Sequence, residues 1–303
     1  MSSQIQPPGQ MVDIGGLRLH ALLRGEGTPV VLLEPALGGF ALQYAHIQAG
    51  VAAFTQVLAY DRAGQGWSDR SPRPRTSANL AAEWKALLDR LDLRPPYVLV
   101  GHSFGGLLAR AYAGFYLEEA AGMVMVDATH VDEYAPFRDM DSFARRAAGG
   151  VRLLKLASRV GIGKVVARLS LGNMAKSLSK EDLDSFLAVA SRIQHHETML
   201  AEFSQHRCFY GPGSEVPSSL GDIPLVVVTA GSSVSGPGKI GGLTSEQMNA
   251  LHLKLQADLV HLSSRGEQIV IPGASHLSIL MQPEYAAQVV EAIRHVVEQV
   301  REG

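Results

Sequence analysis

A serine and a histidine stand in this chain where acyl-transfer chemistry would need them. A serine hydroxyl is a poor nucleophile at neutral pH and needs a base within hydrogen-bond reach. Ser103 is the centre of Gly101, His102, Ser103, Phe104 and Gly105, which fits G-x-S-x-G. The apolar run Tyr97 to Val100 precedes it, and the helical stretch Leu107 to Ala113 follows. That order predicts a strand, a sharp turn and a helix, with the serine held strained at the turn. The backbone crowds there, so the positions two before and two after the serine must carry almost no side chain. Gly101 and Gly105 meet that need, and Gly106 lets the helix approach the sheet closely. The turn also sets Ser103 beside the positive end of a helix, where a developing oxyanion is stabilised.

Eleven histidines compete to be the base, so position must choose among them. His276 directly follows the last predicted strand, on the sheet edge where Ser103 emerges. His20 lies inside an early strand, His252 and His261 lie on a helix, and His102 sits within the turn, directed away from its neighbour. His195, His196 and His206 fall in a later helical segment, and with Glu197 they have the types of metal ligands. Adjacent residues on a helix diverge by about 100°, so His195 and His196 do not readily face one ion. Neither a metal nor a cofactor is expected.

The elements that must position these groups alternate. Leu17 to Arg24, Pro29 to Leu33, Gln56 to Tyr60, Tyr97 to Val100 and Gly122 to Val126 read as strands, the later ones as continuous apolar runs. Such runs suit parallel strands covered on both faces. Between them, Thr76 to Leu91 reads as a helix, with Leu80, Trp84, Leu87, Leu88 and Leu91 on one stripe. The alternation predicts an α/β fold with a doubly wound, mostly parallel sheet. It breaks at about Thr129 and resumes at about Ile223 with the strand Pro224 to Val228. A helix from Thr244 to Leu262, a strand Gln268 to Ile271 and a helix from Pro283 to Val300 complete it. The expected organisation is therefore a core of residues 1–130 and 223–303, with a helical cap inserted at 131–222. The Gly/Ser-rich stretch Gly231 to Gly238 reads as a loop on the carboxyl edge, where such sheets bind ligands.

The stretches Tyr60 to Ser68, Gly101 to Gly106, Val124 to Ala128 and Gly273 to His276 resemble the α/β-hydrolase fold family, in its capped esterase-like branch. The resemblance covers nearly the whole chain. It implies a catalytic acid after the strand that follows the cap, but the end of that strand, Val228 to Val234, carries no carboxylate. The preceding strand ends instead at Asp127, 24 residues after Ser103, similar to branches of the family that place the acid there. Asp127 is therefore the expected partner of His276, with a purely structural aspartate as the other reading. Asp222, Asp132 and Glu133 are weaker candidates. The resemblance also implies an oxyanion hole from the N–H of Phe104 and a second N–H on the loop Glu34 to Gly39. Leu37 is the expected second donor, with Ala36 next. Glu34 is expected to form a structural ion pair with Arg62, and Asp61 to brace the loop Asp61 to Gly66.

Composition bounds the function. The chain has 303 residues, 46% hydrophobic and 18% charged, with a net charge of −2. These values suit a globular enzyme and give no general field for nucleic acid. The single cysteine, Cys208, excludes an internal disulfide, and neither a secretory leader nor a membrane-spanning run is evident, so a cytoplasmic protein is expected. From Ser142 to Lys180 there are nine basic residues and no acidic one, interleaved with Leu, Ile and Val. Three readings of that segment stand open: a solvated face above an apolar pocket, a site for an anionic acyl substrate, or weak contact with an anionic membrane. The expected activity is hydrolysis of carboxylic esters of a small apolar acyl group, or of lactones or thioesters, through an acyl-enzyme on Ser103. Epoxide hydrolases and dehalogenases of this fold carry aspartate where Ser103 stands. A perhydrolase, a C–C hydrolase and a ligand-binding protein of the same fold are the alternatives.

Overall fold

Buried strands and amphipathic helices alternate along the chain and assemble one sheet with helices on both faces. The computed structural model describes residues 7–133, 140–210, 214–232, 239–240 and 243–303. The strands are β1 (Gln10–Asp13), β2 (Arg18–Arg24), β3 (Val30–Glu34), β4 (Val57–Tyr60), β5 (Tyr97–His102), β6 (Ala120–Val126) and β7 (Leu225–Ala230), a short ribbon of β8 (Lys239–Ile240) and β9 (Leu243–Thr244), and β10 (Gly266–Ile271). Eight of them form the main sheet in the order β1-β2-β4-β3-β5-β6-β7-β10. The β1–β2 and β2–β4 pairs are antiparallel, and every pair from β4 to β10 is parallel. This is an α/β-hydrolase fold.

Every residue of β3, β4, β5 and β7 is buried, the consequence of parallel strands covered on both sides. The two-residue alternation sorts their side chains into two cores. Val31, Leu33, Val98 and Val100 face α1 (Ala45–Val51) and α10 (Pro283–Glu302), while Leu32, Tyr97 and Leu99 face α2 (Ser77–Arg90) and α3 (Phe104–Phe115). Helix α2 opens at Thr76, whose hydroxyl accepts a hydrogen bond from the Asn79 N–H. Strand β1 escapes a sequence reading because it is an edge strand of four residues with no apolar run.

Between β6 and β7 the described elements are helical: α4 (Met140–Arg159), α5 (Gly163–Leu171), α6 (Lys180–Ala190) and α7 (Ile193–Ser204), with short 3-10 turns. Helix α7 lies over the loop that follows β4. Arg192 donates to the Gly66 carbonyl at 2.9 Å and Gln194 to the Ser68 carbonyl at 3.0 Å. After β7 come α8 (Ser245–Leu259) and α9 (Ser278–Met281). Of the expected loop from Gly231 to Gly238, residues 233–238 lie outside the described ones.

Candidate active site

Ser103 joins β5 directly to α3 and adopts φ 55°, ψ −124°, a conformation that costs a residue with a Cβ. The turn is tight enough to explain its glycines. A Cβ on Gly101 would strike the backbone of Gly105 and Gly106, and one on Gly105 would strike the carbonyls of Glu34 and Pro35. The Ser103 N–H donates to the Val126 carbonyl at 3.1 Å, and the Ser103 carbonyl accepts from Thr129 at 3.0 Å. The turn is thus fastened to the end of β6, where Asp127 stands.

Asp127 is the second strained residue of the site, with φ 43°. Its buried carboxylate accepts from His276 Nδ1 at 2.6 Å through Oδ2. Oδ1 accepts from the Ala230 N–H at 2.9 Å and from His252 Nε2 at 2.8 Å. Strand β7 therefore supplies a backbone donor to the carboxylate although it carries no carboxylate of its own. Burial works against the ionised form, but the bonds from His252 and His276 outweigh it and hold Asp127 well below the usual carboxylate range. Burial likewise opposes charge on His252, and the bond and charge of Asp127 overcome it, so its pKa is raised.

His252 is the residue that sequence reading left on a helix without a role. Its one legible signal is its position on α8, the element beyond the carboxyl edge. His102 is a further buried histidine beside the site. Its side chain does leave Ser103, but it turns to His276: Nε2 lies 2.8 Å from the His276 carbonyl, with ring centroids 4.6 Å apart. Burial first, then the charge of His276, brings the His102 pKa down to about 3, so the ring is a neutral support.

The expected oxyanion loop is clamped from below. Arg62 makes five hydrogen bonds: to Glu34 at 2.7 Å, to the Pro35 and Ala36 carbonyls at 2.5 and 2.8 Å, and to Glu202 of α7 at 3.0 and 3.2 Å. The expected Glu34–Arg62 pair is present, and Glu202 is an added member that no local pattern announces. Burial pushes the Glu34 carboxyl up to about 6, against the pull of Arg62. The Tyr60 hydroxyl donates to the other Glu34 oxygen. Leu37 packs with Phe104 in a small apolar cluster, which sets the loop beside the start of α3. The next loop is braced by Asp61, which accepts from the Ala41 N–H at 2.8 Å, the Trp67 N–H at 2.9 Å and His20 Nδ1 at 2.8 Å.

Ser103, Asp127, Glu133, His252 and His276 line one open cavity of about 320 Å³. Met248, Leu251 and Leu255 of α8 give it an apolar wall. Glu133 is thereby brought to the site, its carboxyl pKa raised by burial, whereas Asp132 is exposed and Asp222 lies exposed just before β7. His195 and His196 are buried side by side, and among the described residues no cluster of three ligand-type side chains is placed to hold a metal ion.

A serine at a strained strand–helix turn and a histidine–aspartate pair that follows the ends of β10 and β6, with β7 between them, define a recognisable class. The alpha/beta hydrolase family matches residues 30–292, and the chain belongs to that family. The probable transporter efuK of Hormonema carpetanum is 33% identical over 125 residues, 39% of this chain and 18% of that protein. The dihydrolipoyllysine-residue acetyltransferase component of the acetoin cleaving system of Pseudomonas putida is 26% identical over 207 residues, 66% of this chain and 55% of that protein. The matched region thus spans less than two thirds of either relative. A thermophilic esterase from Thermogutta terrifontis shares the fold, with a TM-score of 0.64 at 20% identity over 94% of each chain.

Proposed function

We propose that the protein is a serine hydrolase that cleaves carboxylic esters through an acyl-enzyme on Ser103. The observation that carries this reading is the His276–Asp127 bond of 2.6 Å in the cavity that Ser103 also lines. Ser103 Oγ attacks the ester carbonyl as His276 Nε2 takes its proton, and Asp127 holds the ring and stabilises the imidazolium. The N–H groups of Leu37 and Phe104 receive the oxyanion. His276 then protonates the leaving alcohol, and water, deprotonated by the same ring, releases the acid and restores Ser103. The apolar wall of Met248, Leu251 and Leu255 suits an apolar acyl or alcohol group.

A fluorophosphonate probe is expected to label the wild-type protein on Ser103 and to leave Ser103→Ala unlabelled. Turnover of p-nitrophenyl acyl esters should fall by about 10³-fold or more in that variant, to the level left by binding and the oxyanion donors alone. A wild type that neither labels nor turns over esters would favour a ligand-binding protein on this fold.

A further inference from the structure

The charge of the segment from Ser142 to Lys180, nine basic residues against none acidic, becomes a patterned surface on α4 and α5. On α4 and the turn that ends it, Leu153, Leu156 and Val160 recur at i, i+3 and i+7 and form one outward stripe. Arg152 and Arg159, seven residues apart and both exposed, run along its flank. On α5, Val165 and Leu169 repeat at i and i+4 beside exposed Lys164 and Arg168, and Ile162 joins the two stripes.

These six apolar side chains are between 51% and 75% exposed. They are six of the thirteen large apolar side chains exposed among the described residues, all within seventeen positions, so this is a patch and not a scatter. The inward side of the pair is a different face. Val151 and Leu171 are buried, and Lys155 turns in to pair with Glu197 of α7 at 2.6 Å. Among the described residues no acid pairs with Arg152, Arg159, Lys164 or Arg168. The side chain of Arg146 lies outside the described ones.

The chemistry of the patch selects its occupant. A second copy of the chain would set these cations against their own kind. A bilayer with anionic headgroups meets both features at once, phosphates beside the Arg and Lys rows and acyl chains under the Leu and Val stripes. We propose that the α4–α5 surface docks this protein on anionic lipid bilayers. The docking is peripheral; among the described residues no helix is long and apolar enough to cross a membrane. The inference is independent of the hydrolase reading, because binding is measured without turnover.

Co-sedimentation with phosphatidylcholine vesicles, with and without phosphatidylglycerol, tests it. The full chain should bind only the anionic vesicles, less tightly at ~0.15 M salt than at low ionic strength. Arg152→Gln and Arg159→Gln should each lower the partition coefficient roughly fivefold. Leu153→Ser with Leu156→Ser should lower it roughly tenfold by removing buried apolar area. All four positions are exposed or partly so on the surface, and an unchanged near-UV circular dichroism spectrum identifies variants that retain the fold. No binding to anionic vesicles at low ionic strength would overturn the proposal, as would undiminished binding by both folded sets of variants. A wild-type dimer that Leu156→Arg splits into monomers, without vesicle binding, would assign the surface to self-association instead.

Discussion

At the scale of single residues, the site turns on a carboxylate shared by two histidines. Asp127 gives Oδ2 to His276 and Oδ1 to His252, so its orientation is set from both sides. Asp127→Asn removes the charge that balances an imidazolium and disturbs the ring's tautomer. Ester turnover should fall by about 10³- to 10⁴-fold, and near-full hydrolysis by this variant would remove Asp127 from the mechanism. The second histidine acts in the opposite sense. Among the described residues, the charged and titratable groups acting on His252 are Asp127 and Glu133, and His276 lies across Asp127. The raised pKa of His252 keeps it positive to higher pH than an ordinary imidazole, and that charge competes with an imidazolium at His276 for the same carboxylate. His252→Gln should retain an N–H for Oδ1 while losing the charge. The acid limb of kcat/KM is then expected to move to higher pH, with kcat at the optimum within about tenfold of wild type. A pH profile superimposable on that of the wild type would show that His252 only fills space.

At the scale of elements, the molecule is held across long sequence separations. Arg62 after β4 binds Glu202 on α7, 140 residues away, and the carbonyls of Pro35 and Ala36. The helical segment between β6 and β7 is thereby tied to the loop expected to supply an oxyanion donor. Glu202→Gln leaves Arg62 with Glu34 alone as its buried counter-charge. It should cost about 3 kcal/mol in urea unfolding, the scale of breaking one arm of a buried ion pair. A loss below about 0.5 kcal/mol would mean that solvent reaches this network. Such ties mark where sequence reading stops. The sheet, the turn at Ser103 and the strand-end positions of Asp127 and His276 were legible because local rules govern them: apolar runs make covered strands, and a crowded turn demands Gly101 and Gly105. His252 and Glu202 sit on helices whose periodicity separates buried from exposed faces without naming the partner across the fold. Strand β1 was illegible for another reason, being short, half-polar and dependent on β2 for its existence.

At the scale of the whole molecule, burial of neutral imidazole links stability to pH. His195 lies on α7 against Phe40, with ring centroids 5.9 Å apart, at the contact between the helical segment and the core. Burial first, and then the charge of its neighbour His196, brings its pKa down to about 3. In the unfolded chain the same ring protonates near pH 6.5. Between those values the unfolded state binds a proton that the folded state refuses. A depressed histidine pKa therefore costs stability as pH falls through this window, and costs nothing above it. His20 and His252, whose pKa values are raised, act in the other direction: their contribution is complete below the unfolded value and is lost as pH rises through the folded one. Comparing wild type with His195→Gln isolates one proton from this sum. The variant's unfolding free energy should fall less steeply between pH 6 and 4, by about 1.4 kcal/mol per pH unit. Urea titrations at several pH values measure the two slopes. Parallel slopes would mean that the His195 ring takes up its proton in the folded state, and that the contact between α7 and the core admits water.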